Sequence, residues 1–107
     1  SARKIEEFSF SNVNDTFNIP NIDFLKYGKN IKSITIAYAN VKDYSVLEKC
    51  SKLQSIALWY SDIDSAEDLL RLRNINELLL TDTPLAQNEE EISKLQKAFP
   101  EARVVTE

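Results

Sequence analysis

Histidine is absent from this 107-residue chain, and so is methionine. The first absence excludes more. It removes the commonest general base, metal ligand and member of a catalytic triad. A single glycine, Gly28, leaves no glycine-rich loop to cradle a phosphate. A single cysteine, Cys50, allows no internal disulfide and points to a reducing, cytoplasmic setting. No apolar run approaches the ~20 residues of a membrane span, and no signal peptide is visible. The missing methionine fits loss of an initiator ahead of Ser1 or a tag remnant there. Basic side chains are in deficit, 13 against 17 acidic, for a net charge of −4. Nucleic acid suits that balance poorly, since phosphate binding needs a surplus of Lys and Arg; a basic protein suits it better.

What is present describes a folded domain. Hydrophobic residues make up 43% of the chain and charged residues 28%, which is a globular composition, and the length fits one domain spanning 1–107. The stretch "IKSITIAYANVKDYSVLEKCSK" from Ile31 and the stretch "LQSIALWYSDIDSAEDLLRLRN" from Leu53 carry apolar residues at the same offsets. The first places Ile31, Ile34, Ile36, Val41 and Leu47 there; the second places Leu53, Ile56, Leu58, Ile63 and Leu69. A third copy begins at Ile75 with Leu78, Leu80 and Leu85. Phe99, Ala102 and Val104 start a fourth, and Ile5, Phe8 and Phe10 show the same spacing ahead of Ile31. The chain reads as about five units: an irregular cap over 1–30, regular repeats over 31–87, and a closing helix and strand over 88–107.

Offsets 3 and 5 of each unit lie on one face of an extended strand. Each unit then turns at a small residue, Ala39, Ser61 or Thr83, and returns with helical spacing, Leu47 to Cys50 and Leu69 to Leu72. Asp64 before Glu67, and Asn88 before Glu91, have the spacing of helix N-terminal caps. Phe17, Ile19, Ile22 and Leu25 are placed to cover the open first unit, because stacked repeats need capped ends.

The pattern resembles the leucine-rich repeat family, LxxLxLxxNxL, and its 22-residue period is similar to the short bacterial, internalin-like class. "LQKAFPEARVV" looks like the closing helix and strand of longer leucine-rich repeats. The resemblance implies an α/β fold: a short right-handed solenoid with about five parallel strands on a concave face and helices or turns on the convex one. It departs from the family at offset 8, where Asn or Cys usually bonds the backbone of the turn. Ala39 cannot do so, and Ser61 and Thr83 do so only in part.

Strand residues that do not face the core line the opposite face. That outward set is Ser33, Thr35, Ala37; Ser55, Ala57, Trp59; and Glu77, Leu79, Thr81, with Tyr38, Tyr60 and Asp82 one step further on. Trp59, Tyr60, Tyr38 and Leu79 form an aromatic and apolar patch left open by small neighbours. Asp62, Glu77 and Asp82 form an acidic rim suited to a cationic partner. Two readings of the aromatics stand side by side: anchors for a protein partner, or a cross-strand ladder that stabilises the sheet while Trp59 covers the gap left by Ala37 and Ala57.

The remaining polar features read as structural. Cys50 occupies an apolar offset with no base to activate it. Glu89, Glu90 and Glu91 sit at a helix start, where negative charge is favoured. Asp62 and Asp64, and likewise Asn12, Asn14 and Asp15, lack the spacing of a cation loop. No catalytic, cofactor or metal site is expected. The expected function is a non-enzymatic binder, an immunity protein that neutralises a basic toxin or nuclease, with no membrane partner. The alternative is a recognition or scaffold domain of a larger adaptor or surface adhesion protein.

Overall fold

Alternation of apolar and polar residues sets the strands. The computed structural model describes residues 5–11, 17–19 and 21–107. Its elements are β1 (Glu7–Ser11), β2 (Phe17–Ile19), β3 (Ser33–Ala37), β4 (Ala39–Val41), β5 (Ser55–Ala57), β6 (Glu77–Leu79), α1 (Glu89–Ala98) and β7 (Arg103–Val105). The fold is mixed α/β. Five strands form one parallel sheet in the order β1-β3-β5-β6-β7, and β2 pairs with β4 in a small second sheet. Neighbouring strands in the larger sheet are therefore consecutive along the chain, apart from the two that form the smaller one.

The register brings residues of matching offset side by side. Phe8 lies beside Ile34, Ile34 beside Ile56, Ile56 beside Leu78 and Leu78 beside Val104. Parallel strands cannot be joined by a tight hairpin, so each unit must turn away and return. The inward residues Ile34, Ile36, Ile56, Leu58, Leu78 and Leu80 are all 0% exposed. Each such side chain contributes about 1.5–3 kcal/mol on burial. Leu47, Leu69, Leu85 and Leu95 close the same core from the return segments.

The returns are tighter than the helices expected at Asp64. Each is a single 3₁₀ turn: Asp23–Tyr27, Ser45–Lys49, Leu69–Arg71 and Leu85–Gln87. Spacing of three, as in Leu47 to Cys50 and Leu69 to Leu72, is the 3₁₀ repeat itself, and such helices stay short. Ser65, not Asp64, receives the Glu67 N–H, at 3.1 Å.

At the first end Ile22 and Leu25 are buried as a cap. The side chains of Phe17 and Ile19, and residues Asn12, Asn14 and Asp15, lie outside what the structure describes. Cys50 is buried and its Sγ–H donates to the Leu25 carbonyl at 3.4 Å. Burial pushes its thiol above the ordinary value, as befits a small core residue.

The last return carries the one α-helix among the described residues. Asn88 caps α1 by accepting the Glu91 N–H at 3.2 Å. Glu91 does not reach back to the cap. Its carboxylate crosses to the previous unit, accepting from Ala66 N at 3.1 Å and Ser65 Oγ at 3.4 Å, and pairs with Lys94 at 2.7 Å. The Lys94 ammonium, and after it the Ala66 N–H, hold the Glu91 carboxyl below its usual range. A depressed folded-state value means stability that is present above the unfolded value, about 4.3 for Glu, and lost as pH falls through the folded one. Glu91→Gln is therefore expected to lower the urea midpoint at pH 7. The difference from the parent should close as pH drops below about 4, and urea titrations between pH 7 and pH 3 check this.

Candidate functional site

Two successive outward residues, Trp59 and Tyr60, break the in-out alternation of a strand. The backbone must absorb that break. It does so with one left-handed residue in each of the three regular units: Tyr38 at φ 57°, Tyr60 at 54° and Asp82 at 59°. Tyrosine is poorly suited to this region, and each such residue costs on the order of 1–3 kcal/mol. The step re-aims the next residue inward, so that Ala39, Ser61 and Thr83 are buried.

Hydrogen bonds between units hold the turns. The ladder continues past the strand ends through Leu58 N to Leu79 O at 2.8 Å, Tyr38 N to Trp59 O at 3.1 Å and Tyr60 N to Thr81 O at 3.1 Å. Ser61 Oγ donates to the Leu58 carbonyl and Thr83 Oγ1 to the Leu80 carbonyl, each at 2.8 Å. Thr83 also accepts the Ala86 N–H at 3.1 Å. The two hydroxyls thus bond the turn more fully than their small size suggests. Ala39, which has no such group, is paired in β4 against Phe17 of β2.

The left-handed residues share one edge of the outward face. The rings of Tyr38 and Tyr60 stack with centroids 4.4 Å apart and planes 12° apart. That separation is close to the ~4.8 Å spacing of neighbouring strands. Tyr60 is 43% exposed. Its phenol is pushed above the ordinary value, first by the Tyr38 phenol beside it and then by the nearby Asp82 carboxylate.

The other expected site residues separate into those on this face and those committed elsewhere. Trp59 is half-buried, neither enclosed in the core nor free in water, and Leu79 is likewise half-buried. Ala37 and Ala57 do not lie open as their outward register suggests; they are 1% and 4% exposed. Ala57 is flanked in register by Thr35 and Leu79, and a single methyl is easily covered between two longer neighbours. Glu77 is on the face but engaged: it accepts from Ser55 Oγ at 2.9 Å and pairs with Arg103 at 3.3 Å. Asp62 stands apart. Its carboxylate accepts from Val41 N and Tyr44 Oη, each at 3.0 Å, at the wall of a separate cleft of about 340 Å³ with Asp64 and Asp68. Burial is the main force pushing the Tyr44 phenol above its ordinary value, and the Asp62 charge adds to it. The expected three-carboxylate rim therefore narrows to Asp82.

Arg103 was not among the expected site residues, although the register of the last strand, 26 residues on from Glu77, places the two side by side. A second aromatic surface was also missed. Ile5, Phe24 and Tyr27 are 65%, 52% and 78% exposed at the β1 end. Phe8 and Phe24 meet edge to face at 5.3 Å. Its signal was the spacing of three between Phe24 and Tyr27, which puts both on the outer side of one 3₁₀ turn. Among the described residues no group of three or more Asp, Glu or Cys side chains gathers as a metal site would.

The turn hydroxyls give a direct stability test. Ser61→Ala leaves the buried Leu58 carbonyl without its side-chain donor, and urea unfolding is expected to show a loss of about 1–3 kcal/mol. Ser51→Ala, at an exposed position, should stay within about 0.5 kcal/mol of the parent. No protein-family model and no curated protein matches this sequence, which leaves the geometry of the face to speak for function.

Proposed function

We propose that this chain is a short leucine-rich-repeat-like solenoid whose outward sheet face is concave and binds a basic protein, and that binding inhibits that protein. The reading is of a cytoplasmic immunity protein acting on a cationic toxin or nuclease domain, without chemistry of its own. The observation that carries it is the stacked pair Tyr38 and Tyr60, both left-handed, with Tyr38 half-buried and Tyr60 exposed on the Asp82 side. Strained residues persist where the surroundings hold them, and they gather at binding sites. Rigid aromatics with few rotamers to freeze are what protein interfaces use as anchors.

Size is consistent with this. Five strands at ~4.8 Å spacing present a face about 20 Å across, room for a standard interface of about 800 Å² per partner. The same 22-residue recurrence of register and of left-handed turns supports the repeat reading. The second reading, a recognition domain within a larger assembly, draws support from the Ile5, Phe24 and Tyr27 surface beside the outer strand β1. An apolar surface next to a strand bonded on one side suits association with a further domain.

The test is capture of a basic protein from the native host, followed by assay of that protein's toxic or nuclease activity at equimolar mixing. Inhibition is expected. Trp59→Ala combined with Tyr60→Asn should weaken the complex by a few kcal/mol, about 100-fold or more. Asn tolerates the left-handed backbone, so the urea midpoint should move little. Undiminished activity of every captured protein, or full affinity in the double variant, contradicts the reading.

A further inference from the structure

The tyrosine column ends in a carboxylate, and the step between them has a definite shape. Tyr38, Tyr60 and Asp82 recur at intervals of 22 residues with nearly equal φ, in units whose strands are in register. In the first step one ring lies on the next at 4.4 Å. In the second step the position beyond Tyr60 holds Asp82, whose side chain is far shorter than a ring. Tyr60 has one face against Tyr38, so its 43% exposure comes from the other face and the edges. Asp82 is exposed, and it takes part in none of the ion pairs found among the described residues.

We propose that the free face of Tyr60 and the Asp82 carboxylate together form a recognition slot for one arginine side chain of the protein partner. The proposal rests on the protein-binding reading above and names the group that reading leaves unspecified. Three properties of a guanidinium meet the slot. It is planar, so it stacks on a phenol ring as a third layer of the column. It is cationic, and a cation over an aromatic face is attracted by the ring quadrupole. Its donors form a fork that matches the edge of the exposed Asp82 carboxylate. A lysine ammonium reaches the carboxylate but presents no plane to the ring. Glu77 does not compete for the guanidinium, because Arg103 and Ser55 already occupy it. Asp62 is tied to Val41 and Tyr44 on another surface.

The test uses the intact chain and two capped amino acids, N-acetyl-arginine methylamide and N-acetyl-lysine methylamide, titrated while the Tyr60 ring and Asp82 resonances are followed by NMR. Saturable shifts at both residues are expected with the arginine probe in the millimolar range. Binding of the lysine probe should be at least about fivefold weaker, since it lacks the stacking plane. Asp82→Asn should weaken arginine binding about twofold to fivefold, as loss of an exposed charge pair does. Tyr60→Asn should abolish the preference for arginine over lysine. Equal response to the two probes, or an Asp82→Asn variant that binds arginine unchanged, overturns the proposal. If a basic partner is captured through Tyr60 while the arginine probe gives no saturable shift, the arginine assignment fails and protein binding stands. If the probe binds as expected while no captured protein is inhibited, the slot stands and the inhibitor reading fails.

Discussion

One left-handed residue in each of the three regular units is the constraint on which this molecule turns. A parallel sheet built from consecutive units needs each chain segment to leave the sheet sharply and come back in register. The period-2 alternation of a strand cannot supply that corner, because it would send the next apolar residue to the wrong face. A single residue near φ 55–59° resets the alternation. It lets Ile36, Leu58 and Leu80 point inward and Ala39, Ser61 and Thr83 point inward again three positions later. The same step forces two neighbours, Trp59 and Tyr60 in the middle unit, outward together. Core order and surface display are two consequences of one backbone event.

The cost of that event is met between units, not within them. Backbone N–H groups at and beside the corners donate to carbonyls one unit on, as Tyr38 does to Trp59 and Tyr60 to Thr81. Side chains repeat the scheme. Asp62 accepts from Val41 and Tyr44 of the unit before it, and Glu91 accepts from Ala66 and Ser65 of the unit before that helix. Such links span 18 to 26 residues, so each unit relies on its neighbours to complete its hydrogen bonding. This is why one unit alone would not be stable. It is also why carboxylates that look free in the sequence are not free in the fold: their acceptor capacity is spent on the backbone and side chains of a neighbouring unit.

How much of this was legible in the sequence follows from what each feature depends on. The strand positions were legible because burial depends on periodicity, and the residues at offsets 3 and 5 of the regular repeats are fully buried. The cap at Asn88 was legible because it is local, a bond across three residues. The left-handed corners were not, because tyrosine is among the residues least expected there, where Gly or Asn would have marked the turn. The engagement of Glu77 and Asp62 was not legible either. It depends on which atoms meet across units, Arg103 and Ser55 for one and Tyr44 for the other. Composition reports that a carboxylate exists; only register reports whether it is occupied.

That distinction decides how the outward face can discriminate. A surface with three free carboxylates would attract any cation and would select mainly by long-range charge. With Glu77 and Asp62 engaged by other units, Asp82 is the expected rim carboxylate that stands exposed at the end of an aromatic stack. Charge then acts at a point whose shape is fixed by a ring plane, and the ring plane is fixed by a strained backbone. Selection by shape and charge at a single rung is more specific than attraction by a diffuse rim, because a misplaced cation gains the carboxylate without the plane. The net charge of −4 speeds encounter with basic proteins in general. If the chain binds a basic protein as proposed, the rung at Tyr60 and Asp82 is where one such partner can be told from another.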